Sequence, residues 1–299
     1  MTKFAYGTAF FLLLISFSVL TGFCENYPMY IKDGTGNKII IKAEPKRIIS
    51  LSPSTTEILY SLGLKNRIIA VSNNCNYPES AKYKEKIGDV FIDFEKILNL
   101  RPDLIVSEVS ILPGISEKLI KMGLCVLSVR SDDLESFERS FLIIGKACQR
   151  AETAKKLIEK LNSKFDEISS KIKKMNKPKV RVFIEIWNNP LQTASKNTLI
   201  NDLIDKAAGV NIFSDQKTRY PSVSVEEIIV RSPDVMILTT SEPEKIYKNK
   251  AFASIKAVRD QRVYKIDPDI ISRPSLRILK AVEFMVKCFY PELNLKKIK

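Results

Sequence analysis

The chain has 299 residues, 48 Lys and Arg against 34 Asp and Glu, 45% hydrophobic and 27% charged residues, and no histidine. That length supports one large or two medium domains with their own cores, and the composition excludes a disordered chain. The missing histidine excludes Ser-His-Asp and Cys-His catalysis and removes the commonest zinc and haem ligand.

At the start, Lys3 precedes an uncharged apolar run from Phe10 to Leu20, followed by "TGFCEN". The run is too short for a typical membrane span and has the form of a secretory signal's hydrophobic region. Residues 1–24 are therefore expected to be an export signal, placing the mature chain in the periplasm or anchored on the outer face of the cytoplasmic membrane. Three processing routes stay open: lipidation at Cys24, simple cleavage after Gly22 or Cys24, and retention as an anchor. Phe23 stands where a lipoprotein signal has a small side chain. The net charge of +14 sits on dispersed lysines, densest from Lys171 to Lys179 and at the C-terminus, without interleaved aromatics. It reads as a solvated surface with no nucleic-acid partner. Cys75, Cys125, Cys148 and Cys288 show no metal-like spacing, so free thiols and one disulfide both remain open, and no metal site is expected.

From Arg47 onward, short apolar strands alternate with helical patterns: "RIISLSP", "RIIAVS", "DLIVSE" and "CVLSVR" read as strands of a parallel α/β lobe spanning residues 25–148. Residues 149–176 follow with no Pro or Gly and with apolar side chains at Ala154, Leu157, Ile158, Leu161, Phe165, Ile168 and Ile172. That spacing predicts one helix of about 26 residues, roughly 39 Å long, more than a small lobe needs internally. Residues 177–299 resume the alternation with "KVRVFIEIW", "DVMILTT" and "RVYKID". An internal repeat links the two halves. "DFEKILNLRPDLIV" from Asp93 and "SVEEIIVRSPDVMIL" from Ser224 share Glu, an Ile two residues on, and Pro-Asp at seven and eight, offset by 131 residues. Each reads as a capped helix turning tightly into a strand. The predicted fold class is α/β: two Rossmann-like lobes with parallel sheets, joined by one long rigid helix, with a ligand cleft between them. The only tryptophan, Trp187, follows a strand and would sit at the cleft rim, where an indole offers a large apolar face.

The ordered set "CNYP" (75–78), "EIWNNPLQTASKNTLINDLI", "AGVNIF", "YPSVSVEEII" and "SRPSLR" (272–277) resembles the substrate-binding proteins of ATP-driven importers for vitamin B12, iron siderophores and haem, nearest the cobalamin-binding branch. The likeness covers about residues 37–290. It implies a monomeric, non-enzymatic capture protein without a cofactor, which closes by small angles on a small-molecule metal chelate. It also implies ligand-facing roles for Tyr77 or its neighbour Asn74, and for Trp187, Tyr220, Asp269 and Arg273. Where that branch has a tryptophan before the "FEKIL" helix, this chain has Asp89 and Val90, with Phe91 the nearest aromatic; Asn74 replaces a tyrosine. The branch's disulfide would join Ala207 to Cys288, so it cannot form here.

The same resemblance assigns permease docking to one glutamate per lobe, Glu95 and Glu226. Ser224 is the expected N-cap, Glu227 closes a capping box, and Glu226 is left pointing outward. For the ligand, a corrinoid ranks first, a hydroxamate iron chelate second and haem third, because Arg273 is the one cation expected in the pocket and no histidine can ligate haem iron. An α/β enzyme with a cleft active site is the remote alternative, disfavoured by the absence of GxGxxG and GxxxxGK.

Overall fold

In the computed structural model, residues 27–89, 91–109 and 114–293 are described. The segment expected to be an export signal, residues 1–24 with Cys24, lies outside them. The described chain opens with a hairpin that the sequence reading left unassigned: β1 (Met29–Lys32) pairs antiparallel with β2 (Lys38–Ile41). Asp33 Oδ1 closes its turn by accepting the Thr35 and Asn37 N–H groups, each at 2.9 Å. Gly34 donates its N–H to Ser128 O at 2.7 Å. A Cβ there would come within 2.9 Å of the Arg130 nitrogen, so this contact requires glycine.

The first lobe runs β3 (Ile48–Ser50), α1 (Pro53–Ser61), β4 (Ile68–Val71), β5 (Glu85–Lys86), α2 (Phe94–Leu100), β6 (Leu104–Glu108), α3 (Ile115–Lys121), β7 (Val126–Val129) and α4 (Leu134–Ala147). Its sheet is parallel, in the order β5-β4-β3-β6-β7. The chain leaves β3 toward β4 and returns to β6 on the other side, which creates a switch point at the carboxyl ends of β3 and β6. β3, β6 and β7 are buried at every residue, as expected for strands covered on both faces.

The predicted long helix is α5 (Ala151–Lys174), 24 residues or about 36 Å. It ends two residues inside each predicted boundary. Gln149 and Asn176, at φ 56° and 50°, take left-handed conformations that a helix cannot continue. Ala154, Ile158, Leu161, Phe165, Ile168 and Ile172 form its buried stripe, and Leu157 lies at the margin. Gly145 brings α4 close: a Cβ there would lie 2.5 Å from the Ala154 Cβ. One continuous core joins the first sheet, α4, α5 and the inner face of the second lobe, so the helix is a shared wall.

The second lobe comprises β8 (Val180–Glu185), the short hairpin β9 (Trp187–Asn188) and β10 (Leu191–Gln192), α6 (Leu199–Lys206), β11 (Gly209–Asn211), α7 (Val225–Arg231), β12 (Val235–Leu238), α8 (Pro243–Lys248), α9 (Lys256–Arg259), β13 (Val263–Lys265), α10 (Pro268–Ile271) and α11 (Ile278–Phe289). Its sheet is parallel, in the order β11-β8-β12-β13. The internal repeat holds at the level of hydrogen bonds. Asp93 and Ser224 cap α2 and α7, and Arg101 and Ser232 end them in left-handed conformations. Arg47 then donates to Leu100 O and Arg101 O, and Arg181 to Arg231 O and Ser232 O. The Asp103 and Asp234 carboxylates accept the N–H groups of Arg47 and Arg181 at 2.9 and 3.0 Å. In each lobe, one arginine thus satisfies a helix's orphan carbonyls from the start of a strand.

Cys75, Cys125, Cys148 and Cys288 are free thiols. Burial pushes Cys148 and Cys288 up to about 12, so both stay protonated and inert. Ala207 shares the buried core with Cys288, where the disulfide implied by the resemblance would have been.

Candidate functional site

Two sets of polar contacts cross between the lobes. In the first, Asp132, just after β7, accepts Arg219 through its carboxylate at 2.9 Å and through its carbonyl at 3.0 Å. The same carbonyl takes the Leu199 N–H at 2.7 Å, and Asp202 on α6 caps α4 through the Leu134 N–H at 2.9 Å. In the second, Glu57 on α1 is buried against Arg277 at the start of α11, with Nε–Oε2 at 2.8 Å and a further bond from Nη2 to Oε1. Tyr77 covers the Arg277 guanidinium, 4.2 Å from ring centroid to Cζ. Beside it, Arg273 pairs with Asp269 at 2.8 Å, and Asn76 reaches both, at 2.5 Å to Arg273 and 3.2 Å to Asp269.

Between these ties lies a cavity of about 510 Å³. Glu108, Asp132, Arg219 and Tyr220 are among its polar lining residues, and Ile186, Ile200 and Ile271 among its apolar walls. Another groove, of about 580 Å³ between α4, α5 and α6, is lined by Glu135, Glu138, Asp166, Asp202 and Asp205 with Lys206. It has no exposed aromatic, and Asp202 there caps a helix.

The aromatic candidates Tyr77, Tyr220, Trp187 and Phe91 are 42, 45, 52 and 91% exposed, so none is core packing. Trp187 and Tyr220 are brought together: Trp187 pairs with Gln192 across the β9-β10 hairpin, and Gln192 bridges to Ser222, two residues past Tyr220. The indole N–H is held by Asn189 O at 2.9 Å, which leaves the ring face open. Asp269 and Arg273 are brought together with Asn76, next to Tyr77, and are bonded to one another. Asn74 and Phe91 stand apart on adjoining first-lobe loops, linked by the Asn74 N–H to Asp89 at 3.3 Å and by Asn73 to Gly88. The expectation of Arg273 as the one pocket cation is corrected: Arg219 lines the cavity, and Arg277 sits beside Tyr77. Among the described residues each of the three has a carboxylate partner. Arg219 was legible as the neighbour of "YPSVSVEEII", Arg277 as the last residue of "SRPSLR", and Glu108 as a carboxyl ending an apolar strand at the switch point. Glu57 and Asp132 carried no signal without their partners.

Glu108 is 2% exposed and accepts the Ser131 N–H at 2.9 Å and hydroxyl at 3.2 Å. Burial, opposed by these two bonds, pushes its carboxyl up to about 7. Among the described residues, no group of three or more metal-ligating side chains occurs, and no helix is long and apolar enough to cross a membrane.

The docking candidates occupy equivalent places. Glu95 and Glu226 are exposed in the first turns of α2 and α7, and neither has an ion-pair partner among the described residues. Glu227 closes the expected capping box, with Oε2 2.8 Å from the Ser224 nitrogen.

A cleft between two parallel-sheet lobes that share a long helix, with the exposed Tyr220 in its lining, is the architecture of a solute-capture protein. The chain belongs to the periplasmic binding protein family, whose model matches residues 48–270. It is 32% identical over 277 residues to the ABC transporter substrate-binding lipoprotein YvrC of Bacillus subtilis, covering 90% of this chain and 87% of that one. Among solved structures it is similar to a possible iron-binding periplasmic solute-binding protein of Staphylococcus epidermidis: TM-score 0.74, 32% identity, 83% of this chain and 100% of that one. It is also similar to the periplasmic vitamin B12-binding protein BtuF of Vibrio cholerae: TM-score 0.72, 27% identity, 82% of this chain and 96% of that one.

Proposed function

We propose that this protein captures a corrinoid of the vitamin B12 type outside the cytoplasmic membrane and delivers it, as a non-enzymatic monomer, to an ABC permease through Glu95 and Glu226. The observation that carries the ligand class is the charge state around the cleft: the exposed Tyr220 and Tyr77 stand beside the Arg219 and Arg277 guanidinium groups, which already have carboxylate partners. A corrin ring offers broad apolar faces and a rim of neutral amides, which suits such a wall. Catecholate chelates and haem propionates need cations that are free. A neutral hydroxamate chelate is the second reading, favoured by the same charge state. Isothermal titration with cyanocobalamin, cobinamide, ferrichrome and haem in parallel tests the ranking. Corrinoid binding at least tenfold tighter than ferrichrome is expected, and the reverse order would replace the corrinoid reading.

Trp187 reports occupancy in the same experiment. Corrins absorb where indole emits, so saturation with cyanocobalamin is expected to quench most tryptophan fluorescence. Trp187→Ala is expected to weaken binding by about 1–3 kcal/mol. Tight binding with unchanged emission would remove Trp187 from the ligand site.

A further inference from the structure

A carboxyl buried without a cation is costly unless donors surround it or it takes a proton. Two buried glutamates end central strands of the two sheets, and they differ. Glu185, at the end of β8, directs one oxygen at three donors: the Thr240 N–H (3.0 Å), the Thr240 hydroxyl (2.8 Å) and the Ser241 N–H (2.7 Å). Glu108, at the end of β6, has, among the described residues, the two Ser131 donors alone, one for each oxygen, and it lines the cleft. Among the described residues, the charged groups around it are Arg130 and Asp132 from the segment after β7 and Arg219 from the segment before α7, with Asp132 held between the two arginines. Tyr220 is the other titratable neighbour, a phenol that is neutral near pH 7 and whose pKa partial desolvation raises further. The walls from α6, α10 and the residue after β8 contribute Leu199, Ile200, Ile271 and Ile186, which carry no charge.

We propose that Glu108 is a specificity-determining hydrogen-bond donor of the cleft: in the loaded protein its neutral carboxyl gives an O–H to an uncharged acceptor on the ligand, such as an amide or hydroxamate carbonyl oxygen. A ligand seated over it removes the remaining water and disfavours the ionised form further. Above neutrality, binding therefore takes one proton from solvent. A ligand that brings a carboxylate would set it beside two carboxyl groups of the wall, Glu108 and Asp132, so the site favours neutral chelates. This inference rests on the capture reading above.

Calorimetry with cyanocobalamin and with ferrichrome, from pH 5.5 to 8.5 in buffers of differing ionisation enthalpy, tests it. For the wild type, affinity is expected to fall about tenfold per pH unit above neutrality, with close to one proton taken up per ligand. Glu108→Gln, which cannot titrate, is expected to abolish both the slope and the proton uptake. Ser131→Ala, which removes a donor to the carboxylate, is expected to move the onset of the fall to higher pH. Thermal melts of both variants establish that they are folded. Wild-type binding that is flat with pH and takes up no proton overturns the role of Glu108 while leaving the capture reading standing, as does an unchanged slope in Glu108→Gln. Absence of binding of either chelate by the wild type overturns the capture reading and the Glu108 assignment with it.

Discussion

Glu57→Ala is expected to lower the unfolding free energy by about 3–5 kcal/mol, the usual cost of leaving a buried charge without its partner. The stranded charge is Arg277, whose guanidinium donates to both Glu57 oxygens and lies over the Tyr77 ring. Both side chains are largely shielded, with relative accessibilities of 2 and 12%, so solvent cannot take over the role of the lost carboxylate. Arg273, 3.9 Å from Glu57, is a weak substitute because Asp269 and Asn76 already hold it. Arg277→Ala is expected to cost a similar amount, and the double variant less than the sum, since removing both charges leaves no unpaired ion. Urea unfolding of the four proteins measures the coupling directly. Strict additivity would mean that the pair contributes nothing across the lobes. The contact joins α1 to α11, so its loss acts on the alignment of the lobes as well as on stability.

What the sequence made legible follows from the range of the interactions involved. The α5 stripe repeats every three or four residues without interruption, so its period survives in the sequence alone. The strands β3, β6, β8 and β12 are apolar runs bounded by polar turns, and each falls where such a run predicts it. The β1-β2 hairpin escaped because "MYIK" and "KIII" are four residues long and mix lysine with apolar side chains; the signal was the turn "DGTGN", with its two glycines and Asp33. β5 and β11, two and three residues long, are shorter than any periodicity test can register. The candidate aromatics could be nominated by resemblance because each belongs to a local motif. The polar ties could not. Glu57 and Arg277 are 220 residues apart, Asn76 and Arg273 are 197 apart, and nothing local in a glutamate names its arginine.

The proposed docking pair carries the largest functional expectation. Glu95→Ala with Glu226→Ala is expected to abolish transport in reconstituted membranes while leaving ligand affinity and thermal stability nearly intact. The structural side of that expectation rests on exposure: both carboxylates project from first helical turns and bond to nothing described. Their remaining intramolecular role is with the helix macrodipole, worth about 0.3–1 kcal/mol each. Asp93 on α2, and Ser224 with Glu227 on α7, hold the caps without them. The functional side rests on the repeat, which gives each lobe one such charge at an equivalent place, as two equivalent permease subunits would require. Truncating one partner of a desolvated charge pair at an interface costs about 2–5 kcal/mol. Losing both would therefore weaken docking by about 4 kcal/mol or more, roughly a thousandfold. Each single variant is expected to fall between, with partial transport that high protein concentration restores, because docking rather than ligand capture is impaired. Wild-type transport by the double variant would leave Glu95 and Glu226 as helix-terminal charges with no part in docking.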